Sequence, residues 1–179
     1  VPEPEVEDAL GPEPADETPA APTIEAAHFR RVLGHYATGV TIITALHEGK
    51  PYGLAANSFT SVSLDPPLVS FCAAHTSTTW PHIKAAGHFC VNLLGEDQEE
   101  LCRLFAVSGA DKFAEIGYKK AATGAPVIDD VLGFLDCRIE AEHAAGDHVI
   151  VVGRVHDLDV AHEGRPLLFF RGGYGRFDA

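Results

Sequence analysis

The stretch YGLAANSFTSVSLDPPLVSFC, residues 52–72, sets two apolar runs around a segment of small and hydroxyl-bearing residues. Gly53, Ala55, Ala56 and Ser58 are small enough to leave main-chain N–H groups uncovered, and Asn57 and Ser58 add short polar groups. That composition suits a backbone approached closely by a flat, phosphate-bearing ligand. Asp65-Pro66-Pro67 ends the segment with a rigid turn before the next strand. On composition alone, a hairpin rich in small residues fits equally well.

Upstream, residues 40–45 form a β-branched run, and a polar link over 47–50 ending at Pro51 predicts a hairpin into residues 52–56. Before it, Thr23 is a candidate helix cap, and Ile24, Phe29, Val32, Leu33 and Tyr36 recur at helical spacing, predicting an apolar stripe laid against the body. Downstream, residues 59–63 and 68–73 read as strands. Thr76-Ser77-Thr78-Thr79 precedes a helix carrying Trp80, Ile83 and Ala86 that stops at Gly87, and the unpaired N–H groups of its start favour an anion. A strand over 88–94 and an acid-started helix over 96–105 follow. Residues 108–124, rich in Gly, Ala and Lys, read as a long loop. Leu135, Cys137, Ile139 and Ala141 alternate with Asp136, Arg138, Glu140 and Glu142, predicting a strand with one wet face that turns at 145–147 into a second strand over 148–155. Many closely spaced strands, inserted helices and no β-α-β rhythm predict a mainly β, antiparallel barrel.

Of 179 residues, 46% are apolar, enough for one domain with a proper core. Residues 1–23 hold seven acids, no base and six of the twelve prolines, and read as a disordered acidic tail ahead of a domain over 24–179. The net charge of −13 argues against nucleic acid as a partner. Neither a basic, apolar leader nor a run of roughly 20 apolar residues is present, so the expectation is a cytoplasmic protein with no membrane partner. Cys72, Cys90, Cys102 and Cys137 form no C-x-x-C pair and read as buried structural thiols, and the ten histidines show no ligand spacing, so no metal is expected. The dinucleotide fingerprint, the nucleophile elbow and the P-loop are all missing.

Residues 52–72, read with ATGVTIIT (37–44), GDHVIVVGRV (146–155) and RPLLFFRGGY (165–174), resemble the flavin reductase family, the small NAD(P)H:flavin oxidoreductases that feed reduced flavin to two-component monooxygenases. The resemblance runs in order from about residue 29 to residue 174. It implies an antiparallel split β-barrel, usually a homodimer with flavin near the subunit interface. It also implies FMN or FAD as the flavin, NADH or NADPH as donor, and a flavin-dependent oxygenase as partner, one acting on phenolic or steroid-derived aromatic compounds.

Carried over from the family, Tyr52, Gly53, Leu54, Ala55, Ala56, Asn57, Ser58 and Phe59 would meet the flavin ring and ribityl chain. Ala73, Ala74, His75, Thr79 and Trp80 would lie near its phosphate or ring, with Phe105, Ala106 and Lys112 as further contacts. Phe169, Phe170, Arg171 and Gly172 resemble the nicotinamide-binding segment, where an aromatic face stacks and a guanidinium meets phosphates. His148 resembles a position beside the nicotinamide, suited to orient its carboxamide or transfer a proton. Ala55 stands where relatives often carry a hydroxyl or cysteine, and His75 where they are often basic. Two rival readings stand beside a reductase: a flavin-binding electron carrier that does not turn over NADH, and a flavoenzyme acting directly on its own organic substrate.

Overall fold

Residues 40–45 need β-branched side chains on both faces, because the strand they form is covered from both sides. In the computed structural model, which describes residues 23–109 and 111–177, the order is α1 (Ala26–Leu33), β1 (Thr38–Gly39), β2 (Thr41–His47), β3 (Lys50–Ala56), β4 (Thr60–Leu64), β5 (Pro67–Ala74), α2 (Trp80–Ala86), β6 (His88–Leu93), α3 (Glu99–Ala106), β7 (Tyr118–Lys120), β8 (Pro126–Ile128), β9 (Gly133–Ala145), β10 (His148–Val160), β11 (Leu168–Phe170) and β12 (Gly173–Gly175). The expected tail lies outside the described residues except for Thr23.

An antiparallel seven-stranded sheet, β3-β2-β6-β9-β10-β5-β4, dominates. Ile43 and Ala45 of β2, Ala56 of β3, Val69, Phe71 and Ala73 of β5, and Val149 and Val151 of β10 all enter one buried cluster with Trp80 and Ile83 of α2. Strands from opposite ends of the sheet thus share a core, so the sheet curls around it. Its edge strands β3 and β4 pair only with β2 and β5 respectively among the described residues, which leaves the curl split. No described helix is long and apolar enough to cross a membrane.

A second core lies on the outer face of β2 and β6, where Ile42 and Cys90 meet Cys102 and Phe105 of α3, Phe113, Val127 and Ile128. Asn92 fastens this layer. Its amide donates to the Ile42 carbonyl and Thr44 Oγ1, and its Oδ1 accepts from Ile128 N at 2.8 Å. Of the β7–β8 hairpin held this way, β7 lies inside the 108–124 segment whose composition reads as a loop, and β8 just beyond it. Polar anchoring from a distant strand, invisible in the local sequence, stabilises it.

Several boundaries and faces differ from the sequence expectation. The β2–β3 turn is the anticipated hairpin, with Glu48 at φ 50° and Gly49 at φ 78°. β9 and β10 pair along thirteen residues each, so the second strand continues to Val160 instead of ending at Val155. Asp136, expected on the wet face, is fully buried and accepts from the Thr123 N–H and hydroxyl. The third helix starts at Glu99, not residue 96, because Gln98 folds back to accept the Gly95 N–H. The first is capped at Glu25, not Thr23, and its apolar stripe does not pack on the body: Phe29, Val32 and Leu33 are each more than half exposed. Periodicity shows that a face is apolar, but not what covers it.

Candidate functional site

β3 is an edge strand, so alternate residues turn their main chain away from β2. Gly53 does so: its carbonyl accepts from Lys112 Nζ at 3.2 Å. By the two-residue alternation Ala55 presents its N–H and carbonyl on the same open side. A strand edge therefore offers hydrogen bonds at Ala55 without a hydroxyl or thiol on the side chain. Gly53 itself is not uncovered as the sequence suggests. A Cβ there would stand 2.4 Å from Cε1 of Phe105, so glycine is needed to let α3 press against the strand.

Between β3, β5 and the end of α3 lies a cleft of ≈ 360 Å³. Of the anticipated residues, Leu54, Ala55, Ala56, Asn57 and Ser58 line it from β3 and the link that follows. Ala73, Ala74 and Thr79 line the opposite wall, and Phe105, Ala106, Lys112 and His148 complete it. These positions, up to 94 residues apart, converge because β10 pairs with β5, placing His148 opposite Ala74. The cleft also takes Cys72, Thr76, Ser77, Val107 and Ser108, which the sequence reading did not single out. Cys72 follows from strand alternation once β5 is placed. The others sit on loops with no periodic signal.

Lys112 is the cation at the cleft's inner end. It is 8% exposed, its ammonium donates to the Gly53 and Phe105 carbonyls, and burial pushes its pKa down. Two of its three N–H hydrogens have protein acceptors, which leaves one for a ligand oxygen. His148 is oriented by Asp147: the carboxylate can only accept, so Nδ1–H donates to it at 2.7 Å and Nε2 is left for other partners. That bond holds the Asp147 carboxyl below its ordinary pKa.

The start of α2 is less open than expected. Ser77 Oγ accepts from both Thr79 N and Trp80 N, so those two amides are already satisfied. Ser58 likewise ties its hydroxyl to Cys72, accepting from Cys72 N at 2.9 Å.

Other anticipated residues lie off this cleft. Tyr52 and Gly53 line a neighbouring pocket, and Phe59 lines an apolar one beside Leu93 and Leu167. Trp80 is buried in the inner core edge-on to Phe71, and His75 is exposed, its N–H donating to the Asp147 carbonyl. Phe169 joins Ala55, Ala56, Asn57, Cys102 and Tyr174 around a third hollow of ≈ 170 Å³. Phe170, Arg171 and Gly172 are exposed beside the end of α1, where Arg171 N donates to the Gly34 carbonyl and Phe170 meets His35 edge-on.

The groove therefore suits a flat, polar-edged, phosphate-bearing ligand: small residues form its wall, a strand edge supplies donors, and a buried cation sits at one end. A curled, split antiparallel sheet with such a groove is the architecture of a barrel that binds a flat cofactor. The profile of the flavin reductase like domain matches residues 33–178, and the chain belongs to that family. It is 48% identical to a flavin reductase of Pseudomonas putida over 87% of this chain and 92% of that protein. It is 46% identical to HsaB, the reductase subunit of a flavin-dependent monooxygenase of Rhodococcus jostii, over 87% and 80%. Among solved structures, a nitrilotriacetate monooxygenase component B homologue from Mycobacterium thermoresistibile superposes with a TM-score of 0.82 at 47% identity, covering 85% of this chain and 86% of that one.

Proposed function

We propose that the protein reduces FMN or FAD with NADH or NADPH in the cleft between β3, β5 and α3 and delivers the reduced flavin to a separate oxygenase. The observation that carries the reading is the convergence of the β3 edge, the 73–79 segment, Phe105 and buried Lys112 on one groove. Bound flavin supplies the two-electron chemistry; the chain supplies position. Ala55 and its neighbours offer main-chain donors to a polar ring edge, and Phe105 walls off water. Lys112 offers its remaining N–H to an anionic group, and His148 holds a proton or an acceptor site at Nε2. No side chain is required as a nucleophile, so the gain comes from alignment of two planar groups.

The nicotinamide donor approaches over the cleft from the side of Phe169, Phe170, Arg171 and Gly172. In one chain, only Phe169 of these reaches the β3 edge, at the hollow it shares with Ala55. A second copy of the chain covers the exposed stripe of α1 in our reading, giving a homodimer and bringing further groups to the cleft. The protein works in the cytoplasm, where the oxygenase is supplied with reduced flavin for aromatic or steroid catabolism.

Anaerobic mixing of the protein with NADH and FMN or FAD tests this directly. Rapid, saturable loss of flavin absorbance is expected. Tight flavin binding without bleaching would favour the electron carrier or the substrate-specific flavoenzyme.

A further inference from the structure

Ala55, Ala56 and Asn57 border two spaces, the main cleft and the hollow of ≈ 170 Å³, so one strand edge parts the flavin groove from the C-terminal hairpin. That hairpin, β11 with β12, belongs to a separate three-stranded sheet completed by the two-residue β1. Both central residues of its turn, Arg171 and Gly172, have positive φ, 52° and 81°, the tight primed form that matches the twist of the strands, so the hairpin moves as one body. Tyr174 is the one side chain of β12, between Gly173 and Gly175. It stands directly across from Phe169, which puts both rings at the hollow with centroids 5.4 Å apart. α3 grips Tyr174. The Tyr174 hydroxyl lies 3.3 Å from Cys102 Sγ, and the Arg103 guanidinium carbon stands 4.8 Å from the ring centroid. Glu99 Oε1 accepts from Arg103 Nε and Nη2 at 2.9 and 2.6 Å, which fixes the guanidinium over the ring. One helical turn further on, Phe105 and Ala106 wall the main cleft, so a single short helix holds both the groove's wall and the hairpin beside it.

We propose that Tyr174 is a positioning residue for flavin reduction: held by Arg103 and Cys102, its ring sets how far the 168–175 hairpin reaches over the β3 edge, and so how the nicotinamide lies on the flavin. The inference rests on the proposed reduction of flavin by a nicotinamide donor in the main cleft. Tyr174 lines the hollow and not the main cleft, so it acts through Phe169 and the turn that follows. The donor is oxidised and the flavin reduced by transfer of one hydride between two planar groups in contact, and a misplacement of about 1 Å can cost on the order of a hundredfold in rate. Burial pushes the Tyr174 phenol up to about 12, so the hydroxyl beside Cys102 stays neutral at working pH and the grip does not titrate away. Because the Tyr174 ring is half-buried on a peripheral sheet, outside the buried members of both cores, its loss moves the hairpin without emptying either core.

The test is single-turnover reduction of bound FMN or FAD by saturating NADH, mixed anaerobically and followed by loss of flavin absorbance, for the wild type and for Tyr174→Ala, Tyr174→Phe and Arg103→Gln. Tyr174→Ala is expected to lower the rate about tenfold or more, with the flavin Kd within about twofold of wild type, which also shows that the variant is folded. A primary isotope effect from NADH deuterated at C4 should show that hydride transfer is the step slowed. Tyr174→Phe keeps the ring under the guanidinium and should restore the rate to within about threefold of wild type. Arg103→Gln, a change at an exposed side chain, should lower it severalfold. An unchanged rate in Tyr174→Ala would overturn the positioning role. So would a raised KM for NADH with an unchanged saturated rate, which would make the residue part of donor binding, or a parallel loss of flavin affinity, which would make it a prop of the fold. Failure of the wild type to reduce either flavin would instead remove the underlying reading.

Discussion

Phe105 and Phe29 are both aromatic side chains on eight-residue helices, yet Phe105 is 1% exposed and Phe29 53%. Gly53 leaves room for the Phe105 ring, Phe113 meets it edge-on at 5.1 Å, and Lys112 ties the helix end to the strand. Among the described residues, Phe29 enters neither buried cluster. The α1 helix is joined to the rest near its end, through the hydrogen bond from Arg171 N to the Gly34 carbonyl, and its apolar stripe faces outward. One region is completed by its own chain, and the other is uncovered among the described residues. A short helix gains stability when such an apolar face is covered, and in our proposal a second copy of the chain covers it.

The sharpest way to break the contrast is at the uncovered end. Joint replacement Phe29→Glu and Val32→Glu is expected to convert the proposed dimer to a monomer, read by light scattering, with the circular dichroism of the sheet intact. A surviving dimer would move the interface elsewhere.

At the covered end, Gly53→Val drives a Cβ into Phe105, whose ring cannot retreat from a packed core. The expected loss is about 1–3 kcal/mol by chemical denaturation, with flavin affinity falling as Phe105 shifts. No change in either would mean that α3 is loosely held.

The C-terminal segment lies between the two regimes. Arg171 sits at φ 52°, so Arg171→Asn, which tolerates that backbone, removes the guanidinium without added strain. A severalfold rise in the KM for NADH with unchanged flavin affinity is expected; unchanged NADH kinetics would sink the nicotinamide assignment.

The smallest effect concerns thiols. Cys90, Cys102 and Cys137 are buried and burial raises all three, Cys137 to about 12, which keeps them protonated and inert near pH 8. Cys72 is half-buried and lines the main cleft. Mass spectrometry after brief alkylation should find one labelled position, Cys72, and saturating flavin should slow it. Labelling that ignores flavin would place the ring elsewhere.

Much of the architecture was readable because alternation and turn residues are local. The β2–β3 hairpin, the turn at Asp65-Pro66, the stop at Gly87 and the Gly146-Asp147 turn all stand where sequence reading puts them. The β7–β8 hairpin was not, since Asn92 and Thr44 hold it from other strands. Asp136 was misplaced for a related reason: its partner Thr123 is distant in sequence, and without that pairing a carboxylate belongs on a wet face.

By itself the sequence determined a mainly β, antiparallel chain, the short helix stops and a small-residue strand fit to face a ligand, because these depend on side-chain size, branching and backbone freedom within a few residues. Tertiary structure alone decided which hydrogen bonds were already used, such as those of Ser77 and Ser58, and which face of α1 is uncovered among the described residues. It also set the main cleft beside the pocket lined by Tyr52 and Gly53, with Thr79 and Lys112 bordering both. Each of these depends on what other strands and loops bring alongside, and a chain carries no local record of its distant neighbours.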